Sequence, residues 1–189
     1  MKWILASASP RRKQLFKELV EDFEIRPATG EERVDKTLSP AEGCKALACQ
    51  KAREIAAQYP GSCVLGADTV VAIDGTVLGK PKDAADAKRM LALLSGRTHE
   101  VYTGVCMIAA DGREMAEVDC THVRFYPLSQ AFIEEYVKGG SPMDKAGAYG
   151  IQDGGLVEEI DGSYSNVVGL PKQLCKRMLE EMISAEEER

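Results

Sequence analysis

Segments with helical and strand periodicity alternate along this chain, and short turn signals separate them. Two dipeptides, Asp74-Gly75 and Asp111-Gly112, each stand between two apolar runs, which is the pattern of a β-hairpin. Hairpins and helix-connected strands in one chain predict an α/β fold with a mixed sheet flanked by helices. No low-complexity linker interrupts the pattern, so we expect residues 1–189 to form a single domain.

The expected elements follow from apolar periodicity and from capping residues at helix starts. Ser9, Ser39 and Ser129 each stand where a helix cap is expected. The first helix is expected after Ser9, and its apolar face is Leu15, Phe16, Leu19, Val20 and Phe23. The other helices are expected at 40–59, from about Asp83 to Gly96, from Ser129 to Gly139, and from Pro171 onwards with a solvated acidic end at 180–189. Strands are expected at 3–6, 64–73, 76–78, 101–109 and 114–124, and near 156–160.

The charge balance limits the class of partner. The chain has 24 Lys and Arg residues against 30 Asp and Glu residues, and its net charge is -6. A net negative charge disfavours broad binding to nucleic acid or to an anionic membrane, so we expect neither as a partner. An anionic ligand must therefore meet a local cluster of positive charge.

The six cysteines are scattered, with no CxxC pair and no Cys/His spacing typical of a zinc site. We interpret them as free thiols that fill core space in a reducing compartment. His99 and His122 have no partner at ligand or triad spacing, and we interpret both as structural. The apolar stretch before Arg11 is too short for a signal peptide, and the apolar run 64–73 is too short to span a bilayer. We therefore expect a cytoplasmic protein.

The first candidate site is the segment SASPRR at residues 7–12, at the junction of a strand and a helix. Arg11 and Arg12 in the first helical turn oppose the positive end of the helix dipole, which favours anions by roughly 0.3–1 kcal/mol each. A bound phosphate would resolve this conflict, because serine hydroxyls, free N–H groups and guanidinium groups together form an anion site. The alternative is a solvated cap followed by surface arginines.

The second candidate is Asp68, which stands in GADT inside the most apolar strand of the chain. A buried carboxylate is costly unless a metal, a cation or hydrogen-bond donors satisfy it, so Asp68 is the leading catalytic or metal-binding candidate. The alternatives are a bulge residue turned to water and a carboxylate that accepts from backbone N–H groups. Lys80 follows the hairpin and could reach a phosphate or this carboxylate, and an exposed loop lysine is the alternative.

Two later segments combine glycines with polar groups. Residues 144–152, DKAGAYGIQ, place Gly147 and Gly150 where a backbone can approach a ligand closely, and their Gln152 amide can read a base edge. Residues 162–171, GSYSNVVGLP, end at a helix start. Structural loops and turn packing are equally compatible with both segments.

The order of these motifs resembles the Maf family. The chain carries SxSPRR, GADT, GKP at 79–81, GRTHEV leading to TGV at 96–105, DKAGAYGIQ and GSYSNVVGLP in the order and spacing of that family. The resemblance runs from about Leu5 to Leu179, so it covers essentially the whole domain.

Maf proteins are cytoplasmic nucleoside triphosphate pyrophosphatases, so the resemblance implies hydrolysis to a nucleoside monophosphate and pyrophosphate with a divalent cation, Mg²⁺ or Mn²⁺. It also implies a fold similar to that of the inosine-triphosphate pyrophosphatases, a long mixed sheet with helices in two lobes and a central cleft. The family's catalytic aspartate, which accepts a proton from the attacking water, corresponds to Asp68. The substrate-binding positions correspond to Ser7, Arg12, Glu32, Lys51 and Lys80, and Glu32 and Asp68 are the candidate cation ligands.

Three further positions are thought to set base preference in this family, and they correspond to Arg11, Thr69 and Gln152. The branch that acts on dTTP and UTP carries arginine, threonine and glutamine there, as this chain does. The branch that acts on 7-methyl-GTP typically has a glutamate where Gln152 stands. Two positions beside the expected base pocket depart from the family pattern: Ser141 replaces the glutamate of Gly-Glu-Pro, and Asp153 stands where glycine is common.

Two other functions stay open on the sequence. A 7-methyl-GTP or broad-specificity pyrophosphatase is the nearest alternative, and a nucleotide-binding regulator of septum formation without turnover is the other class. A carboxylate at Asp68 favours an enzyme, because simple binding of a polyanion would not require it. Members of the family often form dimers, so a homodimer is a further expectation of the resemblance.

Overall fold

The computed structural model describes residues 2–35 and 37–187. Over these residues, the elements are β1 (Trp3–Leu5), α1 (Pro10–Lys17), β2 (Phe23–Ile25), α2 (Pro40–Gln58), β3 (Cys63–Ile73), β4 (Thr76–Leu78), α3 (Ala84–Leu94), β5 (Thr98–Ile108), β6 (Glu114–Phe125), α4 (Gln130–Lys138), β7 (Val157–Asp161), α5 (Tyr164–Val168) and α6 (Lys172–Glu187), with short 3-10 turns at Ser141–Asp144, Ala146–Ala148 and Ile151–Asp153. The last residues of the expected acidic helix end, Glu188 and Arg189, lie outside the described residues.

The seven strands of the described chain form one mixed sheet in the order β2-β1-β3-β5-β6-β7, and β4 pairs with β3. β1 runs parallel to both β2 and β3, whereas the remaining described pairs are antiparallel. Both expected hairpins are present, with β3 and β4 joined at Asp74-Gly75 and β5 and β6 joined around Asp111-Gly112. The first turn has positive φ at both Asp74 and Gly75, as a two-residue hairpin turn requires. The predicted α/β class with a mixed sheet is confirmed.

Helices cover the sheet in two lobes. In the first lobe, α1 and α6 pack on one face of the sheet and α2 packs on the other. In the second lobe, α3 and α4 pack over the far halves of β3 and β5. Each of these two strands has 11 residues, so β3 begins in the first core, at Cys63, and ends in the second core, at Ile73. The predicted two-lobed arrangement is confirmed.

The helices begin at the capping residues that the sequence predicts. Ser39 and Glu42 form a complete capping box at the start of α2, with each side chain bound to the backbone N–H of the other. Ser9, Asp83 and Ser129 each accept a backbone N–H in the first turn of α1, α3 and α4. These local signals therefore set where the helices enter the two lobes.

Two regions differ from the expected elements. Leu19, Val20 and Phe23, expected on the apolar face of the first helix, lie beyond its end at Lys17, and Phe23 lies in β2, because the chain turns back. The Phe23 ring packs edge-on against Phe16, with ring centroids 4.8 Å apart. Tyr164–Val168, expected within a loop, form the short helix α5 behind a cap at Ser163. Both elements depend on distant contacts, since β2 is built by pairing with β1 and α5 packs on β5 and β6.

The edge of β3 is open between β1 and β4. β1 pairs with Cys63–Leu65 and β4 pairs with Val71–Ile73, so no strand of the described chain pairs with residues 66–70 on that side. On the opposite side the same residues pair with β5 in regular register. This gap lies between the two lobes, so side chains on both faces of β3 border the same opening.

The cysteines follow the sequence interpretation in their burial. None of the six forms a disulfide within the described chain; Cys120 is half-buried and the other five are buried. None of the helices in residues 2–35 and 37–187 has both the length and the apolar character needed to cross a membrane.

His99 is a structural residue of the second lobe, as predicted. It is 1% exposed, its Nε2 lies 2.8 Å from the hydroxyl oxygen of Tyr149, and its ring contacts Phe125 edge-on. Its Nδ1 has no hydrogen-bond partner among the residues that the structure describes. Burial lowers the pKa of His99 to about 4, so the ring is neutral at neutral pH. His122, by contrast, lies exposed on β6.

We expect acid to destabilise the protein through His99. An unfolded histidine takes up a proton near pH 6.5, whereas folded His99 does so only near pH 4, so stability falls as the pH falls through this window. The loss reaches about 3 kcal/mol at pH 4. In urea unfolding, the stability of His99→Gln should therefore fall by about 3 kcal/mol less than that of the wild type between pH 7 and pH 4. Equal losses would assign the acid sensitivity to other groups.

Candidate active site

A cleft of about 810 Å³ lies at the open edge of β3, between the two lobes. Its walls come from the segment after β1, from α2, from β3, from the segment after β4 and from residues 144–153. All nine residues that the sequence analysis assigned to a site line this cleft: Ser7, Arg11, Arg12, Glu32, Lys51, Asp68, Thr69, Lys80 and Gln152. Side chains far apart in the chain therefore face one space.

Asp68 is held by a lysine from α2. The Asp68 side chain is 12% exposed, and its Oδ1 lies 2.6 Å from Nζ of Lys51. The same ammonium group lies 2.9 Å from Oε1 of Glu32. Asp68 keeps the regular register of β3 opposite Gly104, so it is not a bulge residue. One positive group thus joins the two carboxylates that the sequence analysis named.

Two glycines set the position of the helix that carries Lys51. A Cβ at Gly66 would lie 2.4 Å from the carbonyl oxygen of Ala48, and a Cβ at Gly104 would lie 2.7 Å from that of Cys44. Because neither residue has a Cβ, the backbone of α2 lies directly against β3 and β5. This close approach lets the Lys51 ammonium group reach Asp68.

Cys44 is a site residue that the sequence analysis missed, because it was expected only to fill core space. Its thiol donates to the carbonyl oxygen of Asp68 at 3.0 Å, and its sulfur accepts from the N–H of Gly104 at 3.1 Å. Burial, together with the nearby charge of Asp68, raises the pKa of this thiol to about 12, so it stays neutral. Cys44 therefore supports the backbone that presents Asp68 to the cleft.

Arg12 extends from α1 to the other side of the opening. Its Nε donates to the carbonyl oxygen of Gly169 at 2.9 Å, its Nη1 to Oγ of Ser7 at 3.3 Å, and its Nη2 to Oγ1 of Thr69 at 3.0 Å. Burial lowers the pKa of Arg12 and the charge of Asp68 opposes this shift, but an arginine stays protonated at any working pH. These contacts fix the guanidinium group and leave further N–H donors for a ligand.

A buried polar network behind Arg12 was also missed. Oγ1 of Thr69 lies 2.9 Å from Oγ1 of Thr103, whose hydroxyl donates to the carbonyl oxygen of Asn166 at 3.0 Å. Asn166 is fully buried, and its Nδ2 donates to the carbonyl oxygen of Val101 at 2.9 Å. The GSYSNVVGLP segment therefore packs against the sheet and reaches the site through Arg12.

Five basic side chains line the same cleft as Asp68. They come from α1, from α2, from the segment after β4 and from the 144–153 segment: Arg11, Arg12, Lys51, Lys80 and Lys145. The N–H of Gly147 donates to the carbonyl oxygen of Gly79 at 3.1 Å, which holds the glycine-rich segment beside Lys80. This is the local positive cluster that an anionic ligand needs in a chain of net charge -6.

The segment that carries Gln152 is held in place by Asp153. Oδ2 of Asp153 accepts from the hydroxyl of Tyr136 and, at 2.8 Å, from that of Ser141. The Tyr136 oxygen in turn accepts from the N–H of Gly150 at 3.1 Å. Burial tends to raise the pKa of Asp153, but hydrogen bonds from Tyr136 and Ser141 outweigh it, so this pKa lies below its usual value. Ser141 and Asp153, the two departures from the family pattern, thus contact each other.

Asp68 and Glu32 have the chemistry of a divalent cation site. Both carboxylates contact one ammonium group, so their oxygens already converge on a position that holds positive charge. Carboxylate oxygens are the ligands that Mg²⁺ and Mn²⁺ prefer. The donor set therefore fits the cation that the sequence resemblance implies.

Two solved structures share the fold of this chain. The Ham1 protein of Staphylococcus aureus matches with a TM-score of 0.56 and 15% identity, over 96% of this chain and 99% of that one. A HAM1 protein from Coxiella burnetii matches with a TM-score of 0.56 and 16% identity, over 98% and 99% of the two chains. At these identities the likeness concerns the fold alone, and it agrees with the two-lobed fold expected from the sequence.

Several proteins share a much higher sequence identity with this chain. A dTTP/UTP pyrophosphatase of Moorella thermoacetica is 53% identical over 181 residues, covering 94% of this chain and 93% of that protein. A dTTP/UTP pyrophosphatase of Lacticaseibacillus casei is 47% identical over 178 residues, covering 93% and 96%. The family described as Maf-like protein matches residues 2–182. With a match of this extent and relatives this similar, the chain belongs to the Maf family.

Proposed function

We propose that this chain hydrolyses nucleoside triphosphates, above all dTTP and UTP, to the nucleoside monophosphate and pyrophosphate. One observation carries the proposal: Asp68 is a sheltered carboxylate, held by Lys51, in a cleft lined by basic side chains. A site that only bound a polyanion would not need this carboxylate, whereas hydrolysis needs a base for water. The relatives named dTTP/UTP pyrophosphatase support the same substrates.

In the proposed reaction, Asp68 accepts a proton from the water molecule that attacks the α-phosphorus. The bond between the α-phosphorus and the bridging oxygen breaks, and pyrophosphate leaves with that oxygen. Lys51 orients Asp68 through the contact of 2.6 Å. Arg12 and Lys80 offset the charge of the triphosphate, and Ser7 contributes by holding the Arg12 guanidinium group.

Asp68 and Glu32 would each offer a carboxylate oxygen to a divalent cation, Mg²⁺ or Mn²⁺. When bound, such a cation neutralises phosphate charge and polarises phosphoryl oxygens. The Lys51 ammonium group contacts both carboxylates, so it would give up one of these contacts to the cation and would then meet the phosphates.

The same proposal assigns base preference to Gln152, Arg11 and Thr69. A glutamine amide can donate and accept together, which suits the edge of a thymine or uracil base. Thr69 acts through Arg12, because its hydroxyl accepts from the Arg12 Nη2 at 3.0 Å. Arg11 lies beside the glycine-rich segment, with its Nη1 3.5 Å from Oδ2 of Asp144.

Replacing Gln152 with glutamate should lower kcat/KM for dTTP and UTP by roughly 10- to 100-fold, since a carboxylate accepts hydrogen bonds but cannot donate one. Gln58→Glu is the matched control, because Gln58 is exposed at the end of α2 and lies outside this cleft and outside the neighbouring pocket that Gln152 and Arg11 line. A nucleotide panel run with both variants and the wild type measures the effect. Unchanged rates in Gln152→Glu would remove Gln152 from base recognition.

The experiment that tests the proposed activity is incubation of the purified chain with each nucleoside triphosphate and Mg²⁺, with monophosphate and pyrophosphate as the readout. We expect dTTP and UTP to be turned over faster than the others. A preference for 7-methyl-GTP, or equal turnover of all substrates, would support the nearest alternative. Nucleotide binding without product would instead support a regulator of septum formation.

The proposed setting is the cytoplasm, with free nucleotides as substrates and neither nucleic acid nor a membrane as partner. The net charge of -6 and six cysteines without a disulfide in the described chain support this setting. The proposed assembly is a homodimer. Light scattering on the purified chain tests it, since a particle of about one chain mass would exclude the dimer.

A further inference from the structure

A second group of potential metal ligands lies outside the cleft, on the sheet face that α2 covers. The two sulfurs of Cys49 and Cys106 and a carboxylate oxygen of Glu114 all lie within 4.8 Å of one another. None of these three residues lines the cleft described above. Spacing along the sequence cannot reveal this group, because its members come from three separate elements.

The fold builds the group from one face of a helix and one face of the sheet. Cys49 and Arg53 are four residues apart on α2, so they lie on the same side of that helix. Cys106 lies on β5, and Glu114 stands on β6 two residues before the cross-strand partner of Cys106, so both share one face of the sheet. Packing of α2 on this face brings the two thiols and the carboxylate together.

Arg53 orients the carboxylate of Glu114 from the solvent side. Its Nε lies 2.8 Å from Oε2 and its Nη2 lies 2.6 Å from Oε1. Each carboxylate oxygen has a second lone pair, so these bonds leave Glu114 able to bind a metal, and outer partners of this kind commonly fix metal ligands. The charges also balance, because two thiolates and a carboxylate offset a divalent cation together with Arg53.

The two thiols are shielded from solvent, whereas the carboxylate is accessible to it. Cys106 is fully buried and Cys49 is 7% exposed, whereas the Glu114 side chain is 30% exposed. An ion can therefore enter beside Glu114 and be held by sulfurs that bulk water does not reach.

We propose that Cys49, Cys106 and Glu114 bind a thiophilic divalent cation, Zn²⁺ above all, with water as the fourth ligand. Zinc accepts thiolate and carboxylate ligands in a tetrahedral arrangement, whereas Mg²⁺ prefers oxygen ligands alone. Two thiolates bound to zinc at about 2.3 Å lie roughly 3.8 Å apart, a separation that fits ligand atoms within 4.8 Å of one another. The ion would join α2, which also carries Lys51, to β5 and β6.

The test uses the full chain, stripped of metal with a chelator, reduced with a phosphine, and titrated with Co²⁺. Cobalt bound to thiolates gives sulfur-to-metal charge-transfer absorption, which oxygen ligands do not give. We expect one Co²⁺ per chain with this absorption, and its loss when Zn²⁺ displaces the cobalt. These readouts do not depend on nucleotide turnover, so they stand apart from the proposed function.

Variants identify the ligands. Cys49→Ala and Cys106→Ala should each weaken Zn²⁺ binding by at least about 100-fold. Removing a group that only hydrogen-bonds to a metal ligand already costs about 10- to 100-fold in affinity, and these variants remove a ligand itself. Cys120→Ala, which removes the half-buried thiol of β6, is the matched control and should bind as the wild type does. Circular dichroism checks that each variant is folded. If Cys106→Ala does not fold, the Cys49→Ala variant alone tests the proposal.

Two results would overturn the proposal. One is a folded, reduced wild type that gives no charge-transfer absorption with Co²⁺. This result would overturn the proposal even if the two thiols form a Cys49–Cys106 disulfide in air, because the reduced chain would still bind no cobalt. The other is absorption that persists unchanged in the folded Cys49→Ala variant, which would place the bound metal elsewhere.

Discussion

Replacing Asp68 with asparagine is expected to lower kcat for dTTP hydrolysis by about 10²- to 10⁴-fold, because an amide does not take the proton of the attacking water. The asparagine keeps the shape of the side chain, and its oxygen can still accept a hydrogen bond from Lys51, which lies 2.6 Å from Oδ1 of Asp68. We therefore expect the variant to fold and to bind nucleotide. Steady-state kinetics with dTTP, together with circular dichroism, measure both outcomes.

Asp144→Asn is the matched control for this substitution. Asp144 also lines the cleft, but its ion-pair partners are Arg11 and Lys145 rather than Lys51. We expect this control to change kcat only slightly. Turnover of Asp68→Asn at the wild-type rate would remove Asp68 from its role as base, and equal losses in both variants would point to cleft charge as the cause.

Gly66→Ala is expected to lower both stability and activity. The added Cβ would lie 2.4 Å from the carbonyl oxygen of Ala48 and 2.8 Å from the backbone nitrogen of Ala52. Both are backbone atoms, so the helix must move, and overpacking of this kind costs about 1–3 kcal/mol. Movement of α2 would draw Lys51 away from Asp68, so kcat/KM should fall even for the folded fraction.

Gly79→Ala is the control for stability, because a Cβ there would meet nothing within 4 Å. We expect its free energy of unfolding in urea to stay within about 0.5 kcal/mol of the wild type. If Gly66→Ala were as stable and as active as the wild type, α2 would not need the close approach to the sheet that these glycines allow.

Local signals were enough to predict most of the elements. The hairpin at Asp74-Gly75 and the helix that begins after Ser39 depend on turn and cap chemistry within a few residues, and both are present as expected. β2 was not predicted, because its three residues become a strand only by pairing with β1. Phe23 was therefore assigned to the wrong element on helical spacing alone.

The residues of the site also fall into those that local sequence signals predict and those that they do not. The chemistry of Asp68 was visible from the sequence, since a carboxylate inside an apolar strand is costly and needs a partner. Its partner Lys51 was named only through the family resemblance, because no local pattern links residues on α2 and β3. Cys44 and Asn166 were missed, since a thiol or an amide on the sequence gives no sign of which distant backbone groups it will contact.

Hydrolysis of dTTP in ¹⁸O-labelled water, followed by mass spectrometry of both products, tests the central claim most directly. Water that loses its proton to Asp68 and attacks the α-phosphorus must leave its oxygen in the nucleoside monophosphate, with unlabelled pyrophosphate. Label in pyrophosphate, or release of orthophosphate in its place, would contradict the proposed attack.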